Sequence, residues 1–265
     1  MFKKKWVIFL VLVSVLIVFF VPNERIKEWT CAHKIGQDYC LILIYIADDK
    51  KEYDKEKKYL EISARYGNAV AQRQLGLMYG IDLVEKDYQK SIYWLKKSLE
   101  HNEDKLSLAA LGNYYKNGFG VEQNYEKAFE LYKKSAEQGY DLAQFELGIM
   151  YDKGLGVDQD YAQAMKWYQK AAEQGHANAQ ALIGVLYHNG LGVEQNHRLA
   201  LQWYEKAAKQ DFSPALTSIG YMYENGHGME KNLIKAKEYF EKGCNLGSQS
   251  GCKRLELVKK EISNS

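Results

Sequence analysis

The sequence predicts an all-α fold: an α-solenoid of stacked helical hairpins preceded by one N-terminal apolar helix. Three observations carry this. Glycine returns at Gly76, Gly112, Gly148, Gly184 and Gly220, each 36 positions after the last, and a period of 20–50 residues marks a repeat array. Within one period, apolar residues fall twice at helical spacing: Ala143, Leu147, Met150 and Tyr151, then Ala164, Trp167, Tyr168 and Ala172. Finally, Met1–Val21 is basic at its start (Lys3, Lys4, Lys5) and then apolar from Trp6 to Val21, broken only by Ser14.

The turns repeat as faithfully as the helices. Gly154-Leu155-Gly156-Val157 separates the two helices of one unit. It recurs as Gly118-Phe119-Gly120-Val121, Gly190-Leu191-Gly192-Val193 and Gly226-His227-Gly228-Met229. The turn after the second helix holds Gly67, Asn102, Gly139, Gly175, Asp211 and Gly247, the residue types that best tolerate left-handed backbone. The glycines inside the first helices cost roughly 1 kcal/mol each against alanine, so a close approach that excludes a side chain is expected there.

Thus A-x-x-x-L-G-x-x-Y-x-x-G-x-G-V followed by A-x-x-W-Y-x-K-A-A-x-x-G, over about Tyr53 to Gly247, resembles the Sel1-like repeat, a relative of the tetratricopeptide repeat. The resemblance implies right-handed superhelices of paired antiparallel helices. The first copy departs most: Gly80-Ile81-Asp82 lacks the Gly-x-Gly turn, and one residue is inserted near Glu103.

In chain order, residues 1–22 read as a signal anchor or transmembrane helix. The run is close to the 17–20 apolar residues a bilayer requires. Bulky Val18, Phe19, Phe20 and Val21 stand where a signal peptidase needs small residues. An uncleaved anchor is therefore expected, a cleaved signal being the alternative. The lysines hold the start in the cytoplasm, which places the remainder in the periplasm. Cys31 is too far from the apolar run for lipid attachment. Residues 23–66 form a cap with a half repeat, in which Lys50–Tyr66 reads as a second helix. Five repeats follow, at about 67–102, 103–138, 139–174, 175–210 and 211–246, and 247–265 caps the array with a polar end. At 265 residues the length allows two domains, but stacked repeats share one running core. Residues 23–265 sum to −1 once the three lysines are set aside. No basic stripe exists, which argues against a nucleic-acid partner.

Cys244 and Cys252 flank one inter-unit turn, and Cys31 and Cys40 the matching turn of the cap. Four cysteines allow three pairings. The two local pairs are favoured, since the others would join opposite ends of a solenoid, and disulfides suit an exported chain. Four reduced thiols in buried small-residue slots are the alternative. Local pairs of this kind resemble those of the Helicobacter cysteine-rich proteins, a Sel1-type group.

Catalytic readings are weak. The Gly-x-Gly turns lack the third glycine of a phosphate loop and follow a helix. His33, His101, His176, His188, His197 and His227 occupy no metal spacing, and solvated surface is expected for all six. Trp94, Trp167 and Trp203 read as core. No cofactor is expected. Ser250-Gly251-Cys252-Lys253 fits S-x-x-K, and some Helicobacter cysteine-rich relatives are described as β-lactamases. Yet no K-T-G exists, and Ser250 sits where a helix N-cap belongs.

One surface feature stands out. Leu77, Asn113, Ile149, Val185 and Tyr221 share one slot of the first helices, opposite the buried face, and a mostly apolar exposed slot suggests a groove for a partner. The competing expectation buries this slot between units. Neighbouring Arg73, Ala109, Phe145, Ala181 and Thr217 vary in type, as a recognition surface would. A solenoid offers extended surfaces rather than convergent pockets, so a membrane-anchored periplasmic scaffold holding another protein, such as a cell-envelope component, is expected rather than an enzyme. The resemblance implies a narrower version as well: some exported Sel1-like proteins of Gram-negative bacteria are immunity proteins that mask lipase effectors delivered by type VI secretion.

Overall fold

The computed structural model describes residues 53–81, 86–100 and 102–264. The expected anchor at 1–22, the cap as far as residue 52, and Cys31, Cys40, His33 and His101 lie outside them. Among the described residues every regular element is a helix, and none is long and apolar enough to cross a membrane. The chain divides into two compact units, Met1–Gln123 and Asn124–Ser265.

The first unit holds α1 (Tyr53–Arg65), α2 (Ala69–Gly80), α3 (Tyr88–Leu99) and α4 (Lys105–Asn117). Its core places Tyr59, Leu60 and Ala64 of α1 against Ala71, Leu75, Met78 and Tyr79 of α2. The second unit holds α5 (Tyr125–Glu137), α6 (Asp141–Lys153), α7 (Tyr161–Glu173), α8 (Ala177–Asn189), α9 (His197–Ala208), α10 (Ser213–Asn225), α11 (Leu233–Asn245) and α12 (Gln249–Ser263). There α6–α7, α8–α9 and α10–α11 pack as hairpins, and α12 closes on α11.

The helix ends explain why the units start and stop where they do. Second helices begin at an Asp or Asn whose side chain accepts from the backbone N–H three residues on: Asp87, Asn124, Asp160, Asn196 and Asn232. Each such cap is worth about 1 kcal/mol. α4, α6, α8 and α10 end on a left-handed glycine, whereas α2 ends on extended Ile81; after the first three of these glycines a glutamine side chain caps an exposed carbonyl: Gln123 donates to Lys116 O, Gln159 to Asp152 O and Gln195 to His188 O. At the other turn Gly67, Gly139, Gly175, Asp211 and Gly247 take positive φ.

Two glycine positions are required by packing. A Cβ on Gly184 would lie 2.6, 2.7 and 3.0 Å from three ring atoms of Tyr204 on the partner helix, and Gly148 and Gly220 stand in the same relation to Tyr168 and Phe240. The excluded volume is thus an aromatic ring, not a second backbone. In the inner turn, a Cβ on Gly192 would lie 2.7 Å from the Tyr161 carbonyl carbon and 2.8 Å from Ala162 N, so this turn rests directly on the preceding second helix. Buried glutamines stitch successive units. Gln144 donates to Ala136 O and accepts from Gln174; Gln180 donates to Ala172 O and accepts from Gln210.

Cys244 and Cys252 form a disulfide between α11 and α12, with Cα atoms 4.6 Å apart. The tryptophans are less enclosed than core positions. Trp94, Trp167 and Trp203 are half-buried, and the Lys170 and Lys206 ammonium groups lie 3.9 and 3.6 Å from the Trp167 and Trp203 ring centres.

Candidate protein-binding face

Side chains on a first helix divide into three sets. In α6, Ala143, Leu147 and Met150 are fully buried against the unit. Leu142 and Lys153 are exposed, with half-buried Glu146 and Ile149 between them on the same stripe. Phe145 points along the array to the next unit, where it stacks on His176.

The predicted slot falls on the solvent-facing stripe. Leu77 and Asn113, in the first unit, are half-buried. In the second unit Ile149 and Val185 are half-buried, flanking the core clusters of the following helices, and Tyr221 is 39% exposed. The slot is thus neither buried between repeats nor fully exposed. The sequence reading missed a sixth member. Leu257 lies 36 residues after Tyr221 in α12 and is 53% exposed; only its placement in a presumed terminal cap hid it. Asn117, Asn189 and Asn225 donate from their side chains to the slot carbonyls of Asn113, Val185 and Tyr221.

At Tyr221 the stripe acquires charge. The Arg254 guanidinium sits 5.6 Å from the Tyr221 ring centre. It is held there by Glu224, through Nε to Oε2 at 2.7 Å and a second nitrogen to Oε1 at 2.6 Å. Glu224 is buried, and its hydrogen bond raises the Arg254 pKa above the ordinary guanidinium value. A planar fork of this kind fixes a cation in place.

The neighbouring slot is not a recognition surface. Ala109, Ala181 and Thr217 are buried, and Arg73, Phe145, Ala181 and Thr217 each meet or pack with the residue 31 positions on, the N-cap of the next first helix. Arg73 pairs with Asp104 at 3.0 Å, Phe145 stacks on His176 with ring centres 4.4 Å apart, Ala181 and Phe212 join one core cluster, and Thr217 meets Ser248 at 2.8 Å. The variation in type matches each joint to its own partner.

The histidines also depart from expectation. His176 is the α8 N-cap, accepting from Ala179 N, and burial lowers its pKa. His188, His197 and His227 are half-buried and converge from α8, α9 and the turn after α10, with ring centres 4.8, 5.0 and 4.9 Å apart. The serine reading fails on geometry: Ser248, not Ser250, is the N-cap of α12, and the neighbour of the Ser250 hydroxyl is Ser248 Oγ at 3.1 Å, not Lys253.

The repeat architecture matches known proteins. The Sel1 repeat model matches residues 69–103, 106–140, 141–176, 177–212 and 213–248. The fold is similar to c5321, described as a protective antigen present in uropathogenic Escherichia coli strains and displaying an SLR fold; it is 31% identical, with TM-score 0.72, over 78% of this chain and 45% of that one. A Sel1 repeat protein from Oxalobacter formigenes is 34% identical with TM-score 0.61, over 71% of this chain and 74% of that one. Among curated proteins, the ERAD-associated E3 ubiquitin-protein ligase component HRD3B of Arabidopsis thaliana is 36% identical over 88 residues, which are 32% of this chain and 13% of that protein. The chain therefore spans less than half of c5321 and a small fraction of HRD3B. It belongs to the Sel1 repeat family, an all-α solenoid and a scaffold fold for protein–protein interaction that is generally non-enzymatic.

Proposed function

We propose that this chain is a scaffold that binds another protein along the exposed stripe of its first helices, with the stripe of the second unit supplying the contact. The carrying observation is the recurrence of partly or fully solvent-presenting apolar side chains at one slot, Ile149, Val185, Tyr221 and Leu257, on helices whose core positions Leu147, Ile183, Ile219 and Val258 are buried. Isolated exposed apolar residues are ordinary; a repeated row of them marks an interaction site. At Tyr221 the stripe is flanked by the Arg254–Glu224 ion pair, whose guanidinium lies 5.6 Å from the ring centre.

The proposal extends to location. Residues 1–22 anchor the chain in the inner membrane, and the repeats stand in the periplasm. The Cys244–Cys252 disulfide supports an oxidising compartment, and the three lysines before the apolar run support the orientation.

The test is co-purification of partners from native membranes, with mass spectrometry, for wild type and for Ile149→Glu combined with Val185→Glu. A protein lost from the variant while its helicity persists supports the reading, and its identity separates a cell-envelope component from a delivered effector. Unchanged co-purification removes the stripe as the binding face. Protease protection of the repeats in intact cells, or cytoplasmic labelling of them, decides the compartment.

A further inference from the structure

His188, His197 and His227 occupy a joint that other repeats build differently. The first residue of the second helix is Tyr125, Tyr161 and then His197; the second residue of the inner turn is Leu155, Leu191 and then His227. In the first unit the equivalent pair, Tyr88 and Phe119, stacks with ring centres 5.1 Å apart. In the second unit the inner turn of 213–248 rests on the N-terminus of α9, where a Cβ on Gly228 would lie 2.8 Å from His197 Cβ. Titratable rings have thus taken a place that elsewhere is held by aromatic and aliphatic packing, and His188 from α8 completes the cluster.

The cluster is not a metal cage. Among the described residues no group of three or more His, Cys, Asp or Glu side chains is arranged to hold an ion, and the His197 and His227 planes lie within 11° of parallel. Nor is it balanced by acid. Glu224 on α10 is committed to Arg254, and Lys231 beyond the turn to Glu261. Glu194, Arg198 and Glu230 are exposed. The charges that bear on His188 are those of His197 and His227. The Nδ1 atoms of His188 and His197 are buried without a hydrogen-bond partner, so protonation of His188 would place a buried N–H⁺ with nothing to receive it.

We propose that this trio makes the junction between repeats 177–212 and 213–248 proton-sensitive: packed while His188 is neutral, and loosened once it is charged. The sign follows from linkage. Burial, followed by the neighbouring imidazoles, depresses the His188 pKa below its ordinary value. The unfolded chain then binds more protons, so the junction keeps its full stability above about pH 6.5 and loses it as pH falls. Each unit of depression is about a tenfold change in the opening equilibrium.

The test compares the full chain with the variant His188→Gln, which removes the depressed imidazole, in urea unfolding at pH 7.5 and pH 5.0. The wild type is expected to lose a larger share of its folding constant than the variant on acidification. Equal losses overturn the proposal. A direct titration of the wild-type imidazoles by NMR decides the matter if the variant does not fold: a His188 midpoint well below the ordinary value supports the proposal, and one at or above about 6.5 refutes it.

Discussion

Replacing Gly184 with alanine sets two effects of known size against each other. Alanine gains roughly 1 kcal/mol over glycine inside a helix. Against this, the new methyl would lie 2.6, 2.7 and 3.0 Å from ring atoms of Tyr204, which is itself buried at 4% exposure. Real Cβ contacts do not approach so closely, so the ring or the helix must move, and overpacking of this kind costs about 1–3 kcal/mol. The expected net result is destabilisation by about 1 kcal/mol. It is read as a lower urea midpoint with an unchanged slope. Pairing Gly184→Ala with Tyr204→Ala should show positive coupling, since the truncated ring leaves room for the methyl. If Gly184→Ala alone is more stable than wild type, the ring contact does not govern this position and helix propensity does.

Other outcomes follow from the same structure. Removing the disulfide with Cys244→Ala and Cys252→Ala should cost about 2.5 kcal/mol on a chain-entropy basis for so short a loop, measured by denaturant unfolding under non-reducing conditions. Phe145→Arg should destabilise, and adding His176→Asp, which copies the Arg73–Asp104 joint, should recover about 1 kcal/mol in a double-mutant cycle; additive losses would show that the two positions are uncoupled. At alkaline pH, Tyr79 and Tyr204 are pushed up to about 12, chiefly by burial. Their contribution is intact below pH 10 and lost as pH rises from 10 towards 12, so an absorbance titration at about 295 nm should show a late-ionising tyrosine class in the folded chain.

The parts of the fold that were legible in the sequence are those set by local rules. Helix periodicity, left-handed turn residues and the need for glycine against a neighbour all follow from residue type at fixed spacing, and a repeat prints each rule several times. What the rules do not say is which atoms meet. Gly184 signals an excluded side chain but not that Tyr204 excludes it. The 31-residue partnerships were visible as variation at Arg73, Phe145 and Thr217 and were misread as recognition, because complementarity shows only when both ends are compared. The histidine trio was invisible, since separations of 9, 30 and 39 residues converge only through the stacking of one hairpin on the next. Leu257 was legible by simple counting. The stripe of Ile149 and Val185 was placed by helical angle, although its half-buried state depends on how far the following repeat leans over it.

Because each joint carries its own chemistry, the copies are not interchangeable parts. An ion pair, a ring stack and a hydroxyl pair hold successive first helices at the same geometric station. Arrays of near-identical units drift in copy number when recombination slips by one period. Here such a slip would set the residue of one station opposite the partner of another, so mismatch at the seams would resist shortening or lengthening of the array.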